Sequence, residues 1–444
     1  LGENVMNNIF VLKFAFLSLF MITPLFALKV YVVNNLINTV SIFDTTTNVV
    51  SGNVTDLASP TFNIPEQIVA TPDGSTAFVT NRGGNSVSVI DVATDKVTQE
   101  ILDSSFNQPI AIAITPDGSK IYVANFNGGS PGGTISVIDV LSKTVIDVIT
   151  DASFAGPNSI AFTPDGKTAL VSNTNTNEVT IINVATNSAT GTVGGLSFSN
   201  PDFVAVKPDG TEAYVSNRGG GNGVSVVDLS TNQAIEFVQN PNFNQPDAIA
   251  FSHDGTIAYV INQSRFGGFI SIVDAQTDTV TPMGRVAGNT GGTAIAFTPD
   301  PTAYVAQGVL NQVGIIDVAT NTQTGTVSDP DNLLDSPISL VIINPVIITT
   351  TITGCRKENI FLTQIEYINL IRWQAPEGLT VVEYQIFRDA ALTDLAGTVS
   401  ASDQLVFQDH NRDPNVVYTY YLVGVTDTGS STTLANITVT KKCG

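Results

Sequence analysis

The stretch from Ile112 to Asn125 reads IAITPDGSKIYVAN. Two short runs of Ile, Val, Ala and Tyr flank a Pro-Asp-Gly turn, where Gly118 can take positive φ, so the segment predicts a tight β-hairpin. The same hairpin recurs along the chain. Its turn returns in Ile68–Gly74, Ile160–Gly166 and Val204–Gly210, in Ile249–Gly255 with His253 for the proline, and in Ile295–Asp300. Its second run returns as Tyr31–Asn34, Phe78–Asn81, Leu170–Asn173, Tyr214–Asn217, Tyr259–Asn262 and Tyr304–Gln307. A third element follows each time, Val-Ser-Val-Ile-Asp at Val87–Asp91 and its equivalents, and then a turn of the form Asp-x-x-Thr-Asn, as at Asp44–Asn48. A short Val-containing strand ends each unit.

The units recur 44 to 48 residues apart, measured on Asn34, Asn81, Asn125, Asn173, Asn217 and Asn262. Four short strands at that period match the blades of a β-propeller. The two ends of the array set the blade number. The N-terminal unit lacks a first strand, and an orphan first strand stands at Ile338–Ile343. Joining them completes a seventh blade and removes two exposed sheet edges. The expected fold class is therefore all-β, a seven-bladed propeller closed by its N- and C-terminal strands.

Composition agrees. Of 444 residues, 43% are hydrophobic and 13% charged, which excludes a charge-rich disordered chain. The net charge of -21 disfavours nucleic acid and anionic lipid as partners. Near the start, Phe14–Ile22 is an apolar run ended by Pro24, with Ala27 at a cleavage-like position. This reads as a signal peptide over residues 1–27 starting at Met6, so we expect an exported protein, in the periplasm, on the cell surface or in the medium, with no membrane span after signal removal.

On these residues the units resemble the YVTN-type propeller repeats of surface-layer-like proteins, over residues 28–346. After a linker at 347–354, residues 355–444 break the period. They hold the one Trp, Trp373, in an alternating strand, Tyr384 in another, and the run Tyr418–Leu422. This segment resembles a fibronectin type III domain, a β-sandwich in which Trp373 would be the core Trp of the second strand and Tyr420 the corner Tyr of the sixth. Cys355 and Cys443 bracket it. In an exported chain such a pair suggests a disulfide, intramolecular if one terminal segment folds back, since the two ends of seven alternating strands lie at opposite poles. An intermolecular bond is the alternative.

Loops before the first strand and after the second share one face of a propeller, and three repeated features fall there. Phe62, Phe106, Phe154, Phe198 and Phe243 each stand three residues before a proline. They predict either an apolar ring around the channel mouth or plugs between blades. Glu66, Asp202 and Asp247 follow those prolines, with Asn158 at the same place in another blade. Such a set suits Ca²⁺ or Mg²⁺, and lactonase-type propellers use a metal at a similar position. Arg82, Arg218 and Arg265 lie after the second strand of the three acid-bearing blades, whereas the other blades carry Asn35, Phe126, Thr174 and Gly308 there. That covariation predicts Arg–carboxylate pairs.

The two histidines, His253 and His410, fall away from this face, and no nucleophile motif or phosphate loop is present. From the sequence we therefore expect a non-enzymatic binding or scaffold protein without cofactor, taking a protein or glycan on the loop face. A divalent-metal lactonase or hydrolase and a passive envelope protein are the alternatives.

Overall fold

The computed structural model describes residues 28–343, except 56–61, 128–131, 196–197, 220–221, 242, 263–268, 281–291 and 300, together with strand segments between 352 and 439. The segment read as a signal peptide lies outside these residues, as do Arg265, His410 and Cys443.

Seven four-stranded antiparallel sheets make a seven-bladed propeller. Blade 1 is built from both ends of the array. Its innermost strand is Pro337–Ile343, and Lys29–Asn34, Thr39–Asp44 and Val49–Asn53 complete it. Tyr31 faces Val341 and Val32 faces Leu340 across the junction. Blades 2 to 7 begin with the innermost strands Pro65–Ala70, Pro109–Ile114, Pro157–Phe162, Pro201–Val206, Pro246–Phe251 and Ala294–Phe297. Each innermost strand lies beside those of the two neighbouring blades, so together they line the axis.

The second strand of each blade is buried on both faces, which explains its unbroken apolar run. Tyr31, Phe78, Tyr122, Leu170, Tyr214, Tyr259 and Tyr304 are at most 1% exposed. Several of them meet an aromatic ring of the next blade's innermost strand. Tyr122 lies edge-on to Phe162, Tyr214 to Phe251 and Tyr259 to Phe297, with centroids about 5 Å apart. Burying each such ring contributes roughly 1.5–3 kcal/mol, so adhesion between blades holds the ring together.

The turns form as their residues dictate. Gly74, Gly118, Gly166, Gly210 and Gly255 sit at φ between 67° and 73°. In the outer hairpin of blade 1, the Asp44 carboxylate accepts from the amides of Thr46 (2.7 Å) and Thr47 (3.3 Å), and Asn48 takes φ 51°.

Toward the C-terminus, a three-stranded sheet (Ile352–Ile360, Ile365–Trp373, Val406–Asp409) and a four-stranded sheet (Leu395–Ser400, Val381–Phe387, Tyr418–Thr426, Ser431–Val439) share one core. Ile371 and Trp373 of the first pack with Tyr384, Ile386, Tyr420 and Leu422 of the second. Trp373 lies in the second strand and Tyr420 in the sixth. The Trp373 and Tyr384 rings meet at 5.3 Å and 63°. Among the described residues, no helix is long and apolar enough to cross a membrane.

Candidate active site at the channel mouth

A cavity of about 370 Å³ opens at one end of the axis. Glu66, Asn158, Asp247, Ile110 and Ile338 reach it from the residue after the first proline of their innermost strands, and Gln67, Phe203 and Ser339 from the next residue. Arg82 and Phe126, just after a second strand, complete one side.

Two successive residues of one strand can face the cavity because each of these strands starts with a bulge. The register slips between Pro65 and Ile68 and between Pro201 and Val204. The amides freed by the slip are satisfied by the neighbouring strand. Thr80 Oγ1 accepts from the Gln67 amide at 3.1 Å, and Ser216 Oγ from the Phe203 amide at 2.9 Å. Across the blade boundary, Ser172 donates to the Asp202 carbonyl (2.8 Å) and Ser216 to the Asp247 carbonyl. The small polar residue of the Tyr-Val-x-Asn run thus fixes the backbone that carries the acids.

The asparagine of the same run anchors the loops. Asn81 Oδ1 accepts from the Asn63 amide (3.4 Å), Asn125 from Asn107 (3.2 Å), and Asn217 from Ser199 (3.0 Å), in the loops that lead to the innermost strands. The Phe of each loop turns inward. Phe62, Phe106, Phe154, Phe198 and Phe243 are at most 5% exposed and fill the clefts between blades. The apolar ring around the mouth is therefore corrected: these side chains have their surface covered by protein and offer none to a ligand.

The carboxylates meet guanidinium groups. Glu66 Oε1 lies 3.4 Å from Arg82 Nη1, and Asp202 Oδ2 lies 3.5 Å from Arg218 Nη1. Asp202 is buried, and its other oxygen accepts from the Asn158 amide. The Asp202 Oδ2 atom makes no hydrogen bond, so its link to Arg218 is one of charge at contact distance. Burial raises the Glu66 carboxyl above the ordinary glutamate range, and the Arg82 charge pulls it partly back.

A divalent ion does not fit this arrangement. Among the described residues, no three His, Cys, Asp or Glu side chains come together as a metal-holding group. Glu66 and Asp202 face different arginines, and Asn158 turns its amide nitrogen toward Asp202. The metal reading of Glu66, Asn158, Asp202 and Asp247 is set aside on that geometry. Asp247 lines the cavity, while its sequence partner Arg265 is outside the described residues.

Known proteins resemble this chain in the same region. Residues 27–130 match the family model of the lactonase seven-bladed β-propeller. That stretch holds Glu66, Gln67, Arg82, Ile110 and Phe126, one side of the cavity. Solved structures share the propeller. The periplasmic gluconolactonase PpgL of Pseudomonas aeruginosa is 18% identical with TM-score 0.56, covering 72% of this chain and 99% of its own. A putative 6-phosphogluconolactonase of Bacteroides fragilis is 19% identical with TM-score 0.57, over 72% and 98%. A functionally unknown protein of Desulfotomaculum acetoxidans reaches TM-score 0.59 at 17% identity, over 72% and 99%. These likenesses show the fold. No curated protein matches the chain.

The lactonase family match overturns the expectation of a non-enzymatic binding or scaffold protein. The mouth carries no histidine, nucleophile motif or metal set that the sequence could show among the described residues. A carboxylate and an arginine brought together by adjacent strands, 16 residues apart, make no such motif.

Proposed function

We propose that this chain is a lactone hydrolase whose reaction takes place in the channel mouth. The observation that carries the proposal is the desolvated Glu66 carboxyl beside Arg82, inside the stretch that matches the lactonase family model. Lactone opening needs a base for water and a positive group for the oxyanion. Glu66, as carboxylate, takes a proton from water while the hydroxide adds to the lactone carbonyl carbon. Arg82 offers guanidinium hydrogens to the developing oxyanion. The ring C–O bond then breaks, and the proton held by Glu66 passes to the leaving alkoxide, giving the open hydroxy acid.

The test is hydrolysis of a panel of γ- and δ-lactones, glucono-1,5-lactone among them, followed by acid release. Purified protein should exceed the uncatalysed rate, and Glu66→Gln should lower kcat by roughly 10²–10⁴-fold. A wild-type rate at background across the panel sinks the reading.

Several finer assignments belong with this proposal. We assign residues 28–346 to YVTN-type repeats, 355–444 to a fibronectin type III-like module that displays or spaces the propeller, and 347–354 to the linker. The seven strands in sheets of three and four, with Trp373 in the second strand, support the module. The apolar run Phe14–Ile22 supports export. The Cys355–Cys443 bridge remains a proposal from the sequence.

A further inference from the structure

The Gln67 side chain is pinned by one polar atom and leaves the other to the cavity. Its Oε1 accepts from the Ile112 amide of the next blade at 2.8 Å. A backbone N–H only donates, so the carboxamide is fixed with its oxygen toward Ile112. The flipped amide would set two donors against each other. Among the described residues, the Gln67 Nε2 atom has no hydrogen-bond partner and is not closed off by protein. Gln67 lines the cavity, so these N–H groups open onto it.

The backbone of Gln67 is held too. The buried Thr80 hydroxyl accepts from the Gln67 amide (3.1 Å) and donates to the Gln67 carbonyl (3.3 Å). The bulge between Pro65 and Ile68 brings Glu66 and Gln67 to one cavity, although they are consecutive in the strand. A carboxylate and a fixed amide donor thus stand one residue apart. Nearby donors are already engaged: the Asn158 amide nitrogen with the Asp202 carbonyl (3.2 Å), and the Thr293 hydroxyl with the Pro337 carbonyl (3.0 Å).

Equivalent residues in other blades separate the pin from the donor. In blade 4, Ser159 makes the same bond across the seam, its Oγ accepting from the Val204 amide at 3.4 Å. Ser159 is buried. In blades 3 and 6 the place is held by Ala111 and Ala248, which carry no side-chain acceptor. A hydroxyl or a methyl group therefore suffices where blades meet. The carboxamide of Gln67 adds a pair of N–H groups facing the cavity.

We propose that Gln67 is a catalytic residue of the lactone hydrolase, its amide nitrogen donating to the lactone carbonyl oxygen and to the oxyanion that forms there. This rests on the lactone-hydrolase reading. As hydroxide adds to the carbonyl carbon, the π pair of the C=O bond moves onto oxygen. A donor already fixed in place stabilises that charge without reorganising. Arg82 shares its charge with Glu66, and Gln67 adds a neutral donor beside it.

The experiment pairs Gln67→Ser with Ser159→Ala, both checked for fold by circular dichroism. Gln67→Ser keeps a hydroxyl to accept from the Ile112 amide and removes the N–H pair. It should lower kcat by roughly 10²–10³-fold and move KM by less than about threefold. Ser159→Ala removes the matching seam bond and should leave kcat at the wild-type value. Wild-type kcat in Gln67→Ser, or an equal loss in both variants, overturns the proposal and leaves the lactone-hydrolase reading standing. Gln67→Met, of similar volume, takes the place of Gln67→Ser if that variant does not fold. Failure of both to fold makes Gln67 a seam residue and overturns the proposal. If the wild type opens no lactone, the hydrolase reading fails, and a second readout decides the donor. Glucono-1,5-lactam carrying an isotope label on its carbonyl is bound, and its carbonyl band is read by difference infrared spectroscopy. A band at higher frequency in Gln67→Ser than in the wild type supports donation by Gln67. An unmoved band, or no lactam bound, overturns it.

Discussion

The Tyr304 hydroxyl donates to Asn48 Oδ1 at 2.7 Å, joining blade 7 to blade 1 across 256 residues of chain. The bond repeats around the ring. Tyr31 reaches Asp95, Tyr122 reaches Asn187, Tyr214 reaches Asp278 and Tyr259 reaches Asn321. Each acceptor sits at positive φ in the outer hairpin of the next blade. In blade 2 the tyrosine is replaced by Phe78, and the matching turn residue of blade 3 is Lys143, at φ 55°. In blade 4 it is replaced by Leu170, and the matching turn residue of blade 5 is Asn232, also at φ 55°.

This clasp sets the first prediction. Tyr304→Phe removes one hydrogen bond and leaves the ring packed, so it should lower stability by about 1 kcal/mol in urea titration. Removing the closing strand is far more severe. A chain ending at Ser336 loses the innermost strand of blade 1 and exposes the edge of Lys29–Asn34, whereas a chain ending at Val346 keeps it. The shorter chain should aggregate or unfold, and the longer should keep a cooperative transition. Equal behaviour would mean that the ring does not need its seam.

The second prediction concerns acid. Asp165 is lowered from 3.8 to about 2, first by the Thr163 hydroxyl and then by the Lys167 amide. Asp254 is lowered by the same kind of turn, with Ser252 and Thr256. A carboxyl held below its unfolded value contributes stability above that value, and the contribution is lost as pH falls toward about 2. Asp165→Asn should therefore melt below wild type at neutral pH and converge with it near pH 2. Parallel Tm curves across that window would show that the turn bonds carry no pH-linked stability.

Glu66 gives the third. Burial raises its carboxyl and Arg82 opposes the rise, so Arg82→Met should raise it further. As general base, Glu66 works deprotonated. The acid limb of kcat/KM should thus stand above the ordinary glutamate range and move to higher pH in Arg82→Met. A limb that stays or moves down in that variant assigns the base to another group.

Backbone strain beside the site gives the fourth. Ile64, immediately before Pro65 and Glu66, holds φ 48°. The equivalent residues are Gln108, Gly156, Asn200, Gln245 and Ser336, all at positive φ, and Ile64 is the β-branched member of the set. Its amide donates to Asn38 Oδ1 at 2.7 Å, which holds the conformation. Ile64→Asn keeps that bond and relieves roughly 1 kcal/mol of left-handed strain, so the denaturation midpoint should rise.

Much of the propeller was readable in advance because each blade repeats a local rule. Pro-Asp-Gly makes its turn from residues adjacent in sequence, and an apolar run with polar ends makes a buried second strand. The inward turn of Phe62 and its equivalents was half legible. A phenylalanine at a repeated place suits a plug as well as a platform, and only the neighbouring blade decides which. The pairing of Glu66 with Arg82 followed from antiparallel neighbours. The presence of Gln67 and Phe203 in the cavity did not, because strict alternation sends one of two successive residues away and the bulge overrides it.

The sequence by itself determined the blade, its turns, the number of blades and the use of both ends in one of them. Those depend on φ preferences, apolar period and repeat spacing, which are local. Tertiary structure alone decided what the mouth of the channel presents. There, side chains from blades far apart in sequence meet on one axis. The desolvation of Glu66 and the commitment of Asn158 to Asp202 arise from that meeting. No single blade contains them.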